Sequence, residues 1–346
     1  MINRAKHDRG TVLLATLLIM TVMAAITVAL MDDVRLAVKR TINVQAYSQA
    51  DWQAIGAEDF VTAFLTNDFA QLPPIAKAMM LQSQEPLILP TPDGAITLTL
   101  KDASQCFNLN AVISADTGEG EISAKREFGE LAELLGLAEN QATALSNVLV
   151  DWQDTDQRQS QGGAEDGTYL RKIPPYRTAD TWMRGPEEMR ALHGMDEEMW
   201  QLFRPFVCTG GVGMRPKVNV NSLSPDRLLI LAAALSGEKS GADVLPAAQA
   251  ALRDRPLDGY TTEEQLLQSL RSAGVEGLSE ARVGIDVEAV FVEVVTQVGP
   301  AERTRTYRYE GLGVDSEAPV LTYRGWGRET FRPEIKIEAE TELDAP

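Results

Sequence analysis

The sequence predicts an α+β protein: a long N-terminal transmembrane helix, then a small α/β domain interrupted by a large all-α insertion. Three observations predict it. Residues 11–31, TVLLATLLIMTVMAAITVALM, carry no charge. Period-two alternation of apolar and polar residues appears at residues 96–101 and returns between residues 285 and 328, which is the pattern of half-buried strands. Between residues 106 and 281 alternation is scarce and short helical patterns follow one another.

At 1.5 Å per residue the uncharged run makes a helix of roughly 31 Å, the thickness of a bilayer's hydrocarbon core. Arg4, Lys6 and Arg9 precede it against a single acidic residue, Asp8. Basic residues before a first span hold that end in the cytoplasm, which puts everything after Met31 outside. A cleaved secretory signal is the competing reading, and Ala24, Ala25 and Ala29 offer it small-residue cleavage sites. Against it, the helical pattern does not stop at the membrane edge. Val34, Val38, Ile42 and Ala46 recur at four-residue spacing, and Trp52, Ile55, Phe60 and Phe64 extend an apolar face towards Asn67. Leu72-Pro73-Pro74 ends the pattern, so the predicted helix spans residues 11–69.

A basic leader closing in Arg9-Gly10, an uncharged span and a proline-free amphipathic continuation together resemble a type IV pilin-like precursor. The resemblance implies cleavage after Gly10 by prepilin peptidase on the cytoplasmic side. Thr11 would then be the mature, N-methylated first residue, although pilins usually begin there with an aromatic or hydrophobic one. Most pilins carry a glutamate at mature position five, where this chain has Ala15. A carboxylate inside a bilayer is costly unless paired. Its absence therefore implies a subunit with no partner above it.

Beyond the prolines, residues 75–82 read as a short helix and residues 96–101 as a strand. Helical patterns follow at residues 125–135, 139–152, 186–192, 197–203, 225–235, 242–253 and 262–269. Strands return through Ile285, Val287, Ala289 and Phe291, through Arg305, Tyr307 and Tyr309, and over residues 320–328, with turns at Gly299-Pro300 and residues 311–319. The acidic tail, residues 334–346, has almost no bulky apolar residue after Ile337 and is predicted to be disordered.

Three stretches resemble, in order and spacing, the protein K family of type II secretion systems. They are CFNLNAV (residues 106–112), LVDWQDTDQRQSQGGAEDGTY (149–169) and VNVNSLSPDRLLIL (218–231). The resemblance runs from Arg9 to about Arg328. It implies a leader at 1–10, a transmembrane segment at 11–31 and a pilin-like α/β domain, made of residues 70–104 and 282–333, in which the long N-terminal transmembrane helix packs on a small antiparallel sheet. Two sterile-alpha-motif-like (SAM-like) helical units, 105–215 and 216–281, would fill the insertion. It further implies a minor pseudopilin, anchored in the inner membrane with its C-terminal domain in the periplasm. Such a subunit caps the tip of the pseudopilus and helps start its assembly. Its expected partners are the minor pseudopilins I and J, the major pseudopilin, prepilin peptidase and the inner-membrane assembly platform.

The net charge is −18, and loss of a leader worth +2 would leave −20 on the exported part. So acidic a surface argues against nucleic acid and against adsorption to anionic lipid, and is compatible with cation binding. The two cysteines, Cys106 and Cys208, make no CxxC motif. An oxidising periplasm favours one disulfide between them over two separately buried thiols.

Asp151, Asp154 and Asp156 close a helix and enter a glycine-rich turn that leads to Glu165 and Asp166. Such a cluster repels itself, which leaves a bound hard cation or a solvated, spread loop as the two options. The spacing is not that of an EF-hand. Members of the family that the chain resembles bind calcium in this region, which implies a structural Ca²⁺ held by Asp151, Asp154, Asp156 and Glu165. The asparagine pairs Asn108/Asn110 and Asn219/Asn221 suit turn and cap duty, with Ser224 as an N-cap and Pro225 as a first helical residue.

No enzyme is expected: His7 falls in the leader, His193 stands alone, and no GxSxG, HExxH or phosphate loop occurs. The competing class is a minor pilin of a type IV pilus or a DNA-uptake (competence) system. For that reading VNVNSLSPDRLLIL resembles the entry to a helix-hairpin-helix unit, but AAALSGEKSG after it lacks the compact glycine hairpin.

Overall fold

The computed structural model describes residues 8–237, 240–275, 282–313 and 318–327, with side chains from Thr11 onwards. The first seven leader residues, the end of the last predicted strand and the acidic tail 334–346 lie outside the described residues. One helix, α1 (Asp8–Asn67), runs unbroken through Gly10 and Thr11. Residues 11–45 are exposed along its whole circumference, so the protein itself covers none of the apolar span.

After α2 (Pro74–Ser83) come β1 (Leu87–Thr91) and β2 (Gly94–Asp102). The chain then leaves the sheet. It makes β3 (Phe107–Asn108), α3 (Ile122–Leu134), α4 (Glu139–Gln153), α5 (Asp166–Tyr169), α6 (Glu197–Phe203) and β4 (Val207–Cys208). Next are β5 (Val218–Asn219), α7 (Leu228–Leu235), α8 (Gly241–Arg253), α9 (Glu263–Ser272) and β6 (Val283–Gly284). It returns as β7 (Ala289–Val298), β8 (Ala301–Glu310) and β9 (Val320–Trp326). The five long strands form one antiparallel sheet in the order β1-β2-β7-β8-β9. Gly299 (φ +51) and Pro300 turn β7 into β8, glycine supplying the positive φ that a tight hairpin needs at its first loop residue.

The face that α1 lays on this sheet differs from the predicted one. Ala46, Ala50, Ala54, Ala57, Val61 and Leu65 are buried, whereas Trp52 is 69% exposed. Ile55 and Phe60 also face out, and Phe64 is only partly buried. Small residues let the helix approach until sheet hydroxyls reach its backbone. Thr296 Oγ1 donates to Ala50 O (2.9 Å), Tyr307 Oη to Ala54 O (3.0 Å) and Tyr309 Oη to Glu58 O (3.3 Å). Their four-residue spacing follows one helical ridge and sets the rotation of the sheet about α1. Four other expectations shift. β1 was not foreseen, the strand expected from Ile285 begins at Ala289, and residues 186–191 form a 3₁₀ turn. Ser224 stands at the N-cap position before a 3₁₀ turn, but its side chain makes no capping bond.

Two short parallel pairings close the helical region into two successive units: β3 with β4, and β5 with β6. One apolar core runs through both, from Phe107 to Ile285. Cys106 and Cys208 are joined (S–S 2.03 Å) where the first unit begins and ends. Beside that bond, the fully buried Arg308 of β8 pairs with Glu310 (2.9 Å), and Gly211 N donates to Glu310 Oε2 (3.0 Å). A Cβ at Gly210 would stand 2.6 Å from the Arg308 guanidinium, so glycine is needed where this linker crosses the sheet. Burial pushes Arg308 down from its ordinary range, opposed by Glu310 and Asp102.

Candidate metal centre

The acidic loop leaves the end of α4. Asp151, in its last turn, is fully buried and accepts from Ser160 N (3.1 Å), which folds the loop back over the helix. Gly162 (φ +76) and Gly163 make the turn, and a Cβ at Gly163 would lie 2.1 Å from Asp151 Oδ2. Asn147 Nδ2 holds Gln161 O (2.8 Å) and Gln159 Nε2 holds Gly163 O (2.7 Å). Glu165 then opens α5 with a nearly buried carboxylate, neither oxygen of which has a protein hydrogen-bond partner. Asp154 Oδ1 is likewise buried without a partner.

One carboxylate oxygen each from Asp154, Asp156 and Glu165 lies within 4.8 Å of the other two. Ligands held about 2.3–2.6 Å from one Ca²⁺ are separated by no more than about 5 Å, so the three oxygens fit a single shell. The orphaned oxygens of Glu165 and Asp154 agree with that fit, because a buried carboxylate without a donor is destabilising unless a cation or proton supplies the charge. Asp156 also holds Arg158 (Nη2 to Oδ2, 2.7 Å) and accepts from Arg158 N (2.7 Å).

The electrostatics follow the crowding. Burial, then the charges of Asp151 and Asp154, push the Glu165 carboxyl up to about 7. Burial, then Asp156 and Asp151, push Asp154 up to about 6. Asp156 lies below its ordinary range because Arg158 hydrogen-bonds to its charged form. Of the four carboxylates expected to act together, the structure gathers three. Asp151 is spent on the backbone of the loop and acts on the others through its charge.

Asp180 was missed by sequence reasoning. It adopts φ +48, accepts from Thr178 Oγ1 (2.7 Å) and adds its repulsion to both Asp154 and Glu165. It arrives because Ala179 N and Asp180 N both donate to Trp152 O (3.2 Å each), a contact that no local spacing announces. Asp166, counted in the acidic run, is turned away to Arg177 (2.6 Å) and Thr178. Ala15 and Thr11 lie on the exposed N-terminal part of α1.

The family model described as type II secretion system protein K matches residues 105–210, the stretch that holds the disulfide and the acidic loop. Type II secretion system protein K of Aeromonas hydrophila is 29% identical, over 94% of this chain and 99% of its own length. That of Klebsiella pneumoniae is 34% identical, over 67% of this chain and 72% of its own length. The fold is similar to that of a chain in the crystal structure of the GspK-GspI-GspJ complex from enterotoxigenic Escherichia coli. There the TM-score is 0.61 and the identity 24%, covering 83% of this chain and 99% of that one. From its membrane-length helix to its last described strand, this chain belongs to the type II secretion system protein K family.

Proposed function

We propose that this minor pseudopilin of type II secretion waits in the inner membrane, its N-terminus in the cytoplasm and its head in the periplasm. Prepilin peptidase removes residues 1–10 after Gly10, and Thr11 becomes the methylated first residue. The freed helix packs among the other pseudopilin helices, and the head caps the filament tip. The kinship with protein K over nearly the full length of the relatives carries this reading. Two arguments support the tip position: Ala15 puts no carboxylate in the bilayer to meet a subunit above, and a head of this size should clash with a subunit stacked on it. The solved complex of GspK with GspI and GspJ supports minor pseudopilins I and J as neighbours at the tip. The major pseudopilin and the inner-membrane platform complete the partners during initiation.

The head follows the same reading. Residues 70–104 with 282–333 form the pilin-like part, and 105–215 and 216–281 form two SAM-like units. Ca²⁺ is the structural ion of the first unit, held by Asp154, Asp156 and Glu165 with Asp151 bracing the loop; its chemistry is to neutralise the carboxylates and fix the loop. N-terminal sequencing of the membrane-extracted protein, with and without prepilin peptidase, tests the scheme. A mature end at Thr11 that disappears without the peptidase is expected. An end inside residues 24–31 would make the chain an ordinary secreted protein.

A further inference from the structure

The geometry points to Asn110 as the positioning residue of the metal loop, an inference that rests on the calcium reading above. Asn110 is the second asparagine of CFNLNAV and is 1% exposed. Its backbone N–H donates to Asn108 Oδ1 (3.1 Å), which fixes the turn from which its side chain reaches across the unit. Met183 N donates to Asn110 Oδ1 (2.8 Å), and Asn110 Nδ2 donates to Met183 O (2.9 Å) and Gly210 O (2.9 Å). One carboxamide thus fixes both backbone groups of the residue at which the loop rejoins the fold.

The other end of the loop is tied to the same turn. Gln153, the residue before Asp154, donates from Nε2 to Leu109 O (3.1 Å) and Leu149 O (3.3 Å). Residues 153 and 183 are therefore held to the adjacent residues 109 and 110, and the whole excursion 154–182 closes at its base on a single 3₁₀ turn. Asp154 and Asp180 leave and return at that base. Its width decides whether they stand near Glu165 before any cation arrives.

The second helical unit repeats the device without the loop. Asn221 N donates to Asn219 Oδ1 (2.9 Å), Tyr260 N donates to Asn221 Oδ1 (2.8 Å), and Asn221 Nδ2 donates to Tyr260 O (2.9 Å). There the bridged excursion is only residues 254–259, and Arg255 Nη1 pins it to Val220 O (2.8 Å) and Asn221 O (3.1 Å). The same side-chain geometry closes a short connection in one unit and a long acidic one in the other. The asparagine is therefore a loop clamp common to both units, and only in the first does what it clamps carry a charge cluster.

The test uses the full chain in detergent, with Asn110→Ala, Asn221→Ala and Gln153→Met beside the parent. Three quantities are read: Ca²⁺ affinity by calorimetry, Tm in EDTA, and the rate of proteolytic cutting within residues 154–182 in EDTA. Asn110→Ala should weaken Ca²⁺ binding by about 10- to 100-fold, the range for partners that orient metal ligands, and should speed cutting of the loop. Asn221→Ala should lower Tm while leaving Ca²⁺ affinity within about twofold. Gln153→Met keeps about the volume of the side chain and removes its bonds to Leu109 O and Leu149 O, of which only the first ties the loop to the turn, so it decides the matter if Asn110→Ala does not fold. Equal Ca²⁺ affinity in parent and Gln153→Met, or equal weakening in the Asn110 and Asn221 variants, would overturn the inference. A parent that takes up no Ca²⁺ would overturn the calcium reading itself, a result separate from either.

Discussion

Glu165 is nearly buried, has no hydrogen-bond donor at either oxygen, and faces Asp151, Asp154 and Asp156. Without a cation it must carry either an uncompensated charge or a proton, and its carboxyl is accordingly pushed up to about 7, with Asp154 at about 6. Both folded values exceed the ordinary carboxylate range. Through that window the folded protein binds more protons than the unfolded chain, so its stability falls as pH rises and levels off above about 7. On the proposed calcium reading a bound ion replaces the protons, so its stabilisation should grow over the same window. In EDTA, Tm is expected to drop between pH 5 and pH 7.5 by on the order of 5 °C. Excess Ca²⁺ should remove most of that slope. Glu165→Gln should flatten the EDTA profile, raise Tm in EDTA at pH 7.5 and cut the calcium increment, all by differential scanning calorimetry. A Glu165→Gln protein that keeps the parent's calcium increment would remove Glu165 from the site. The clustering of the three carboxylates was legible in the sequence because they lie close along one acidic run. Asp180 was not, since only the fold, through Trp152 O, returns it to that place.

At the scale of elements, α3 is tied to the joint between the two helical units by Glu127. Its carboxylate takes Arg215 (2.6 Å) from the linker before β5 and the guanidinium of Arg282 next to β6. Burial raises the Glu127 carboxyl, but the two arginines outweigh it and hold it below the usual carboxylate range. Removing one member of a buried ion pair leaves uncompensated charge, at a cost of about 3–5 kcal/mol. Glu127→Ala should lose stability of that order in chemical denaturation, and a loss below about 1 kcal/mol would mean that this ion-pair cluster does little to hold the units together. The elements themselves were read unevenly from sequence. The β7–β8 hairpin was visible because Gly299-Pro300 punctuates two alternating runs. β1 was hidden: Leu87-Ile88-Leu89 does not alternate, and Pro90 argues against a strand unless it lies at an edge, where β1 in fact lies. The buried face of α1 misled for another reason. Periodicity finds large apolar residues, but the sheet selected the alanine ridge whose carbonyls its hydroxyls can reach. That leaves Trp52 and Ile55 on the outer face of α1.

For the whole molecule, the long helix serves two surroundings. From Ala46 onwards it belongs to the head, and before that every described side chain is exposed, including Val34, Leu36, Val38, Ile42 and Val44 beyond the predicted bilayer edge. So much apolar surface in a single chain calls for a cover from outside it, and the proposed passage from lipid to neighbouring helices in a pseudopilus would supply one. The anchor and the order of the parts could be read from hydropathy and punctuation. The attachment of the helical insertion to the sheet could not, because it depends on the buried Arg308 and Glu310 meeting glycines a hundred residues earlier in the chain. The assignment to the tip makes the sharpest demand at Ala15. If no subunit lies above, a carboxylate there has no amine to pair with, and burying it at helix depth costs about 2.5–3.5 kcal/mol. Ala15→Glu should leave the head's Tm and calcium response unchanged, yet reduce secretion of a reporter roughly 10-fold or more in cells whose own protein K is deleted. Parental secretion by Ala15→Glu would mean that a neighbour's N-terminus reaches this position, and the chain would then belong within the filament instead of at its end.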